Sequence, residues 1–538
     1  MIYIHWLLLA IYVLAVVGTM ITVLMDNRQP AKTMAWMLVL VFLPLVGIIL
    51  YFFFGQNTRK EKMISQNSLD QLTKRSMLEF AEQKNLVLPQ QHEKLIKLFA
   101  SQNWALPFKD NEIDIYTDGY QFFHALLRDM AKAKHHIHID SYIFNDDELG
   151  NMIADALIDK AKEHVEVRVI YDDVGCWDVK GSFFERMRDA GIEVHGFMPV
   201  KFPAFTSKVN YRNHRKLCVI DGKIGFIGGM NIATRYVRGK KKRSKRQEAG
   251  SKRQEAGSKR QEAGSKRVLW RDTHLRIQGG GVYGIQRAFL VDWYFVDRTL
   301  ISDHSYYPPI LEEGGRRNFW NSESQQASLI GRVVTKVNEV KDEGEGRTKE
   351  EPTGSDCIVQ IVTSSPISEW PDIMQGYIRI LLEAKKYVYI ETPYFLPTEP
   401  VLLAMRTAAL TGVDVRVMIP YKTDAKLVEW ASRSYVHEVV SAGVKIYLYQ
   451  KGFNHSKLLV SDDSMCTVGS SNVDFRSFEN NFEGNAFIYD RDMALRMKEV
   501  YMNDVKDSVL LDDVENLDHR PFLKRLWESV VRLLSPLL

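Results

Sequence analysis

Two short stretches of this chain hold the residue types that carry phosphoryl groups, at one common spacing. His214-Arg215-Lys216 is followed five residues after the lysine by Asp221, and His455-Ser456-Lys457 is followed likewise by Asp462. Each copy then runs into a small-residue turn and an asparagine, Gly228-Gly229-Met230-Asn231 in one and Gly469-Ser470-Ser471-Asn472 in the other. A single His-x-Lys pair is common on protein surfaces. Two copies with matching tails point to one active site assembled from two similar halves. There the lysines would hold the non-bridging oxygens of a phosphodiester while one histidine attacks phosphorus and the other protonates the leaving alcohol. The phosphohistidine so formed is open to a second alcohol or to water.

Local structure must present these groups. Leu217–Ile220 and Leu458–Ser461 are apolar on both faces, as in strands buried within a sheet. Side chains two apart share a strand face, so His214 and Lys216 point one way, as do His455 and Lys457. Asp221 and Asp462 fall out of phase and open turns at Asp221-Gly222 and Asp462-Asp463, which assigns them to loop geometry. A reacting imidazole needs its other nitrogen fixed, usually by a carboxylate. Glu483 lies 28 residues after His455, and Asp272 lies 58 after His214 with an insert between. The spacing thus predicts a carboxylate supplied within each half: Asp272 for His214, Glu483 for His455. Asn231 and Asn472 are supporting residues of the same site.

The duplicated motif resembles that of the phospholipase D superfamily. Within it, the chain looks like the bacterial cardiolipin synthases of the phospholipase D type. The likeness covers nearly the whole length, through an N-terminal hydrophobic hairpin, Trp270–Arg276, Glu391–Phe395 and the ending Leu533–Leu538. It implies a membrane-bound phosphatidyltransferase that joins two phosphatidylglycerol molecules into cardiolipin and releases glycerol. It also implies that the N-terminal motif supplies the nucleophile. Alternatives that use the same residues are a hydrolase with water as acceptor, or a lipid-binding scaffold without turnover.

The elements around the motifs repeat as well. Ala133–Phe144 aligns with Ala384–Phe395, and Val165–Ile170 with Val413–Met418. Helix–strand alternation then predicts two α/β/α halves with mostly parallel sheets sharing one site. Asp140 and Glu391 end equivalent strands. Cys218 and Cys466 read as small buried residues at equivalent positions of the two motifs. His135, His136 and His138 read as structural rather than metal-binding, and neither metal nor cofactor is expected. Lysines supply the positive charge that a metal otherwise would.

Charge and hydropathy place the molecule. The net charge is +4, but residues 240–267 alone carry twelve Lys/Arg and three Glu, including three repeats of Ser-Lys-Arg-Gln-Glu-Ala-Gly. The rest of the chain is therefore acidic, which argues against a nucleic-acid platform; the partners expected are phosphatidylglycerol, other anionic phospholipids and the membrane. Ile2–Met25 and Met34–Phe54 are two apolar runs, each long enough to cross a bilayer of about 30 Å. Arg28 and Lys32 lie between them, whereas Arg59, Lys60 and Lys62 follow the second. That bias favours a multi-pass protein of the inner (cytoplasmic) membrane with its catalytic part facing the cytoplasm.

The expected organisation is a two-helix transmembrane hairpin over 1–57, a helical tether over 58–110 and a first half over 111–305 carrying the basic insert. A linker over 306–355 and a second half over 356–538 follow. The second half ends in an amphipathic helix in which Leu523, Leu526, Trp527, Val530, Leu533, Leu534 and Leu537 recur at helical spacing. That stripe fits either packing on the body or the membrane interface.

Overall fold

A computed structural model describes residues 2–25, 30–51, 72, 80, 86–200, 210–241, 267–308, 357–514 and 521–536. Most of the tether before residue 86, the repeats at 242–266 and the linker from 309 to 355 lie outside the described residues.

The first half is a seven-stranded sheet. Its order is Glu112–Tyr116, His274–Gln278, Ile224–Gly228, Lys216–Ile220, His136–Ser141, Glu166–Asp172, Glu193–Phe197. The second half repeats that order with Ile358–Ser364, Glu483–Tyr489, Met465–Gly469, Leu458–Ser461, Tyr387–Glu391, Asp414–Pro420 and Lys445–Tyr449. It adds the edge strand Ser508–Leu510. The internal repeat seen in the sequence is thus a repeat of topology.

The sheets are mixed, which corrects the expectation of mostly parallel ones. Only the helix-linked strands run parallel, as in His136–Ser141 beside Glu166–Asp172 and that strand beside Glu193–Phe197. The motif strand Lys216–Ile220 and its successor Ile224–Gly228 are joined by a three-residue turn and pair antiparallel. So short a connection permits only a hairpin, since a parallel crossover needs a dozen residues or more. The same holds for Leu458–Ser461 and Met465–Gly469. A further correction concerns the cysteines. Cys218 lies on a motif strand, whereas Cys466 lies on the strand after one; both are buried.

A shared core joins the halves. Leu217, Val219, Ile227, Leu275 and Ile285 of the first pack with Val359, Leu458, Val460, Cys466 and Val468 of the second in one buried cluster. Burying a side chain of this size contributes roughly 1.5–3 kcal/mol, so the halves are held as one body. Both motif strands contribute side chains to this seam, Leu217 and Val219 from one and Leu458 and Val460 from the other.

At the N-terminus, Ile2–Met25 is one apolar helix of membrane-spanning length. The second apolar run is not one such helix. It divides at Leu43, with Pro44 opening the next turn, into Pro30–Phe42 and Pro44–Leu50. Proline lacks the N–H that would continue the ladder, so the break falls where the sequence places it. The broken segment packs back on the first helix, with Leu40 and Tyr51 against Val23.

At the far end, Phe522–Arg532 is helical, as its spacing predicts.

Candidate active site

Each motif histidine sits just before its strand, on a short extended segment that crosses to the other half. His214 N–H donates to Phe482 O at 2.9 Å, and Phe482 N–H donates back to Arg212 O. Symmetrically, Phe453–Asn454 pairs with Trp270–Arg271, and His455 N–H donates to Arg271 O at 2.7 Å. These backbone bonds bring each histidine beside the carboxylate of the opposite half.

The pairing is therefore crossed, which corrects the expectation of one carboxylate per half. His214 Nδ1 lies 3.0 Å from Glu483 Oε1, and His455 Nδ1 lies 2.6 Å from Asp272 Oδ2. Each carboxylate accepts a hydrogen bond from Nδ1–H, which leaves Nε2 as the nitrogen with a free lone pair. Lys457 Nζ also approaches His455 Nδ1 at 2.8 Å. That nitrogen carries one proton to donate, so Asp272 is the partner it satisfies. Both lysines also donate to the carbonyl of their own motif histidine.

The two carboxylates differ. Ser470 Oγ donates to Glu483 Oε2 at 2.5 Å and Asn481 Nδ2 donates to Oε1 at 3.2 Å. Burial raises the Glu483 carboxyl, but the charges of His214 and Lys216 and these hydrogen bonds outweigh it, leaving it at about 2. At the position matching Ser470 the first half has Gly229. A Cβ there would sit 2.0 Å from Asp272 Oδ1, so only glycine leaves room for that carboxylate. Burial raises Asp272, with Lys457 and the Thr273 N–H offsetting part of the effect.

The histidines and lysines are almost wholly enclosed: His214 keeps 12% of its side-chain surface exposed and His455 8%. Burial brings the His214 ring down to about 4 against the pull of Glu483, and His455 also falls well below its usual range. Burial likewise lowers Lys216 to about 7 and Lys457 to about 8. Aromatic rings stand against both histidines. Tyr142 meets His214 edge-on at 5.0 Å, and Trp270 and Phe453 lie 5.3 and 5.8 Å from His455. Burial disfavours both imidazolium forms, and below about pH 7 the two lysines add positive charge to the enclosed space, a setting that suits an anion.

Asp221 and Asp462 lie away from the histidines' reactive edges. Asp221 accepts from the backbone N–H groups of Lys134, His135 and His136, and Asp462 from those of Lys385, Lys386 and Tyr387. Each ties its motif hairpin to the start of the neighbouring strand. Asn231 accepts from Ile143 N–H and donates to Tyr236 Oη, and Asn472 donates to Asp474. Both asparagines hold the turns behind the site.

Two residues escaped the motif reading. Asn213 donates to Asp140 and accepts from Arg215 N–H; Asn454 donates to Glu391 and accepts from Ser456 N–H. They fix the extended segments that carry the histidines. The signal was present, since an asparagine directly precedes each motif histidine. Of the histidine cluster, His136 and His138 are both within hydrogen-bond reach of Gln286, and His135 Nδ1 lies 2.8 Å from His136 Nδ1.

Comparison with known proteins identifies the family. Residues 126–248 and 377–505 match the family described as cardiolipin synthase, PLD-like domain, and residues 8–56 match the phospholipase D-nuclease N-terminal family. The phosphatidylserine synthase of Haemophilus influenzae Rd KW20 shares the fold, with a TM-score of 0.54 over 83% of this chain and 100% of that one, at 15% identity. Fold and site together define a two-half protein of the phospholipase D class. The chain is 37% identical over 541 residues to the major cardiolipin synthase of Bacillus subtilis (strain 168), covering 99% of each. It is 36% identical over 543 residues to a cardiolipin synthase of Listeria monocytogenes serotype 4b (strain CLIP80459), again covering 99% of each. It belongs to the bacterial cardiolipin synthase family.

Proposed function

We propose that this protein is a membrane phosphatidyltransferase that makes cardiolipin from two molecules of phosphatidylglycerol through a phosphatidyl-His214 intermediate. The observation that carries the reading is the crossed pair of His–carboxylate contacts, which makes one enclosed phosphodiester site out of both motifs. Lys216 and Lys457 hold the non-bridging oxygens of the first lipid. His214 Nε2 attacks phosphorus, and the bond from phosphorus to the glycerol headgroup breaks. The charge of the bound phosphodiester lets His455 enter this step as an imidazolium, with Nδ1–H on Asp272 and Nε2–H facing the leaving oxygen. The glycerol leaves with the Nε2 proton. The terminal hydroxyl of a second phosphatidylglycerol then gives its proton to His455, its oxygen attacks phosphorus, and the bond to His214 breaks. Cardiolipin departs, and both histidines return to their starting state.

His214 is assigned as nucleophile because Glu483, with its extra donors and low pKa, is the carboxylate better able to stay ionised beside a modified ring. Enclosure of the site favours an alcohol acceptor over water. The helix Ile2–Met25 anchors the chain, and the kinked segment Pro30–Leu50 makes the return pass. The basic residues after it support a catalytic body on the cytoplasmic side of the inner membrane.

Purified protein given radiolabelled phosphatidylglycerol tests the activity. Cardiolipin and glycerol in equal amounts are expected. Phosphatidic acid as the main product would mean hydrolysis, and no turnover by folded protein would mean a scaffold.

A further inference from the structure

The C-terminal helix Phe522–Arg532 is docked the wrong way round for water. At about 100° per residue, its apolar residues Phe522, Leu523, Leu526, Trp527 and Val530 form one continuous face, extended by Leu533 and Leu534 of the turn that follows. That face is turned outward: Leu523 is 75% exposed, Trp527 50% and Leu533 78%. The face turned to the body holds Glu528 and Val531, each 1% exposed. Arg532 clamps that side, 2.9 Å from Glu438 and over the Tyr435 ring at 4.1 Å, both on the helix Lys426–Val440. A helix in water buries its apolar stripe and shows its charges; this one does the reverse while being held in place by an ion pair.

The outward face continues onto the body. Trp430 meets Trp527 at 5.8 Å, and Leu427 and Tyr421 are exposed beside the same helix start. Lys524 and Arg525 border the stripe on its two sides, Lys422 lies in the adjoining turn and Lys426 opens the helix after it. That turn reaches the active site, because Tyr394 Oη donates to Asp424 at 2.9 Å and its ring lies 6.5 Å from Phe453, which contacts His455.

We infer that this apolar face, rimmed by lysine and arginine, lies in the interface of an anionic phospholipid bilayer and is a second membrane contact of the protein. Apolar side chains enter the acyl boundary and the flanking cations meet lipid phosphates. The N-terminal helix holds the chain to the membrane; the C-terminal helix sets its attitude, turning the wall of the active site toward the headgroups. The inference rests on the membrane setting proposed above but not on the identity of the lipid reaction.

The test uses the full chain, whose four native cysteines are buried. Leu526→Cys and Leu533→Cys, labelled with an environment-sensitive dye, are reconstituted with lipid containing phosphatidylglycerol brominated on its acyl chains. Strong quenching at both positions is expected, with none at Glu185→Cys on an exposed helix of the first half. Quenching no greater than at Glu185→Cys would overturn the inference. So would cross-linking between copies through Leu526→Cys without quenching, which would make a second copy the occupant. A triple variant, Leu523→Glu, Leu526→Glu and Leu533→Glu, keeps the docking face intact. It should lose turnover in vesicles while keeping it on detergent-dispersed lipid; equal turnover in both settings would show that the face does not orient the site.

Discussion

Each motif histidine is held by a carboxylate from across the molecule. His214→Ala and His455→Ala are each expected to reduce cardiolipin formation to background, since attack and proton transfer are separate tasks. Loss of Lys216 or Lys457 to Met should cost at least ~100-fold in kcat, by analogy with removing one oxyanion donor. The crossed pairing separates two variants that pairing within each half would interchange. Glu483→Gln should slow formation of the His214 adduct, whereas Asp272→Asn should slow proton transfer by His455; rapid-quench kinetics distinguish the two. The pH profile has a stated sign. His214 at about 4 is neutral above that pH, while Lys216 at about 7 and Lys457 at about 8 lose their charge as pH rises. kcat/KM should therefore fall as pH rises through 7–8, and a profile flat to pH 9 would contradict the phosphate-holding role. The sequence disclosed all of these residues. It could not disclose their pairing, because His455 and Asp272 are 183 positions apart and meet only when two segments exchange backbone hydrogen bonds.

At the scale of elements, the motif aspartates are tests of architecture. Asp221 and Asp462 have φ of 54° and 53°, in the left-handed region that Asp tolerates better than most residues. Each gathers three backbone N–H groups. Replacement by Ala should cost roughly 2–4 kcal/mol of stability, the range for several hydrogen bonds to a charged acceptor. Turnover per folded molecule should change far less than in the lysine variants. Thermal unfolding in detergent beside specific activity checks both. Gly229→Ala should act differently, displacing Asp272 and lowering activity more than stability. The turn role of the two aspartates was readable from their phase against the strand. The antiparallel motif hairpins were not read, although the three residues Asp221–Lys223 between two strands allow nothing else. Alternation of helix and strand alone does not separate parallel from antiparallel neighbours; loop length does. The break at Leu43 is marked by Pro44, but the hydropathy around it is continuous.

For the whole molecule, one body of two halves follows an apolar N-terminal helix of membrane-spanning length, and no added cofactor is expected. Activity should survive chelation of divalent ions by EDTA. Complete loss, restored by one metal, would return His135, His136 and His138 to consideration as ligands. Replacing residues 242–266 with a short Gly/Ser connection should leave turnover on detergent-dispersed lipid unchanged, and a loss there would give the basic repeats a part in the active site. The C-terminal helix shows the limit of pattern reading at this scale. Its stripe was visible in the sequence, but the direction in which it faces depends on Arg532 and Glu438, on separate elements.

The central claim is that both halves build one site and that His214 carries the phosphatidyl group. It is tested most directly by trapping that group on the enzyme. Phosphatidyl p-nitrophenol has a leaving group that needs no proton, so the full-length His455→Ala variant should react once and stall. Acid-free quenching and peptide mass spectrometry should then find the phosphatidyl adduct on His214, with no adduct in the His214→Ala variant. An adduct on His455 in the His214→Ala variant, or none in either protein, would contradict the account.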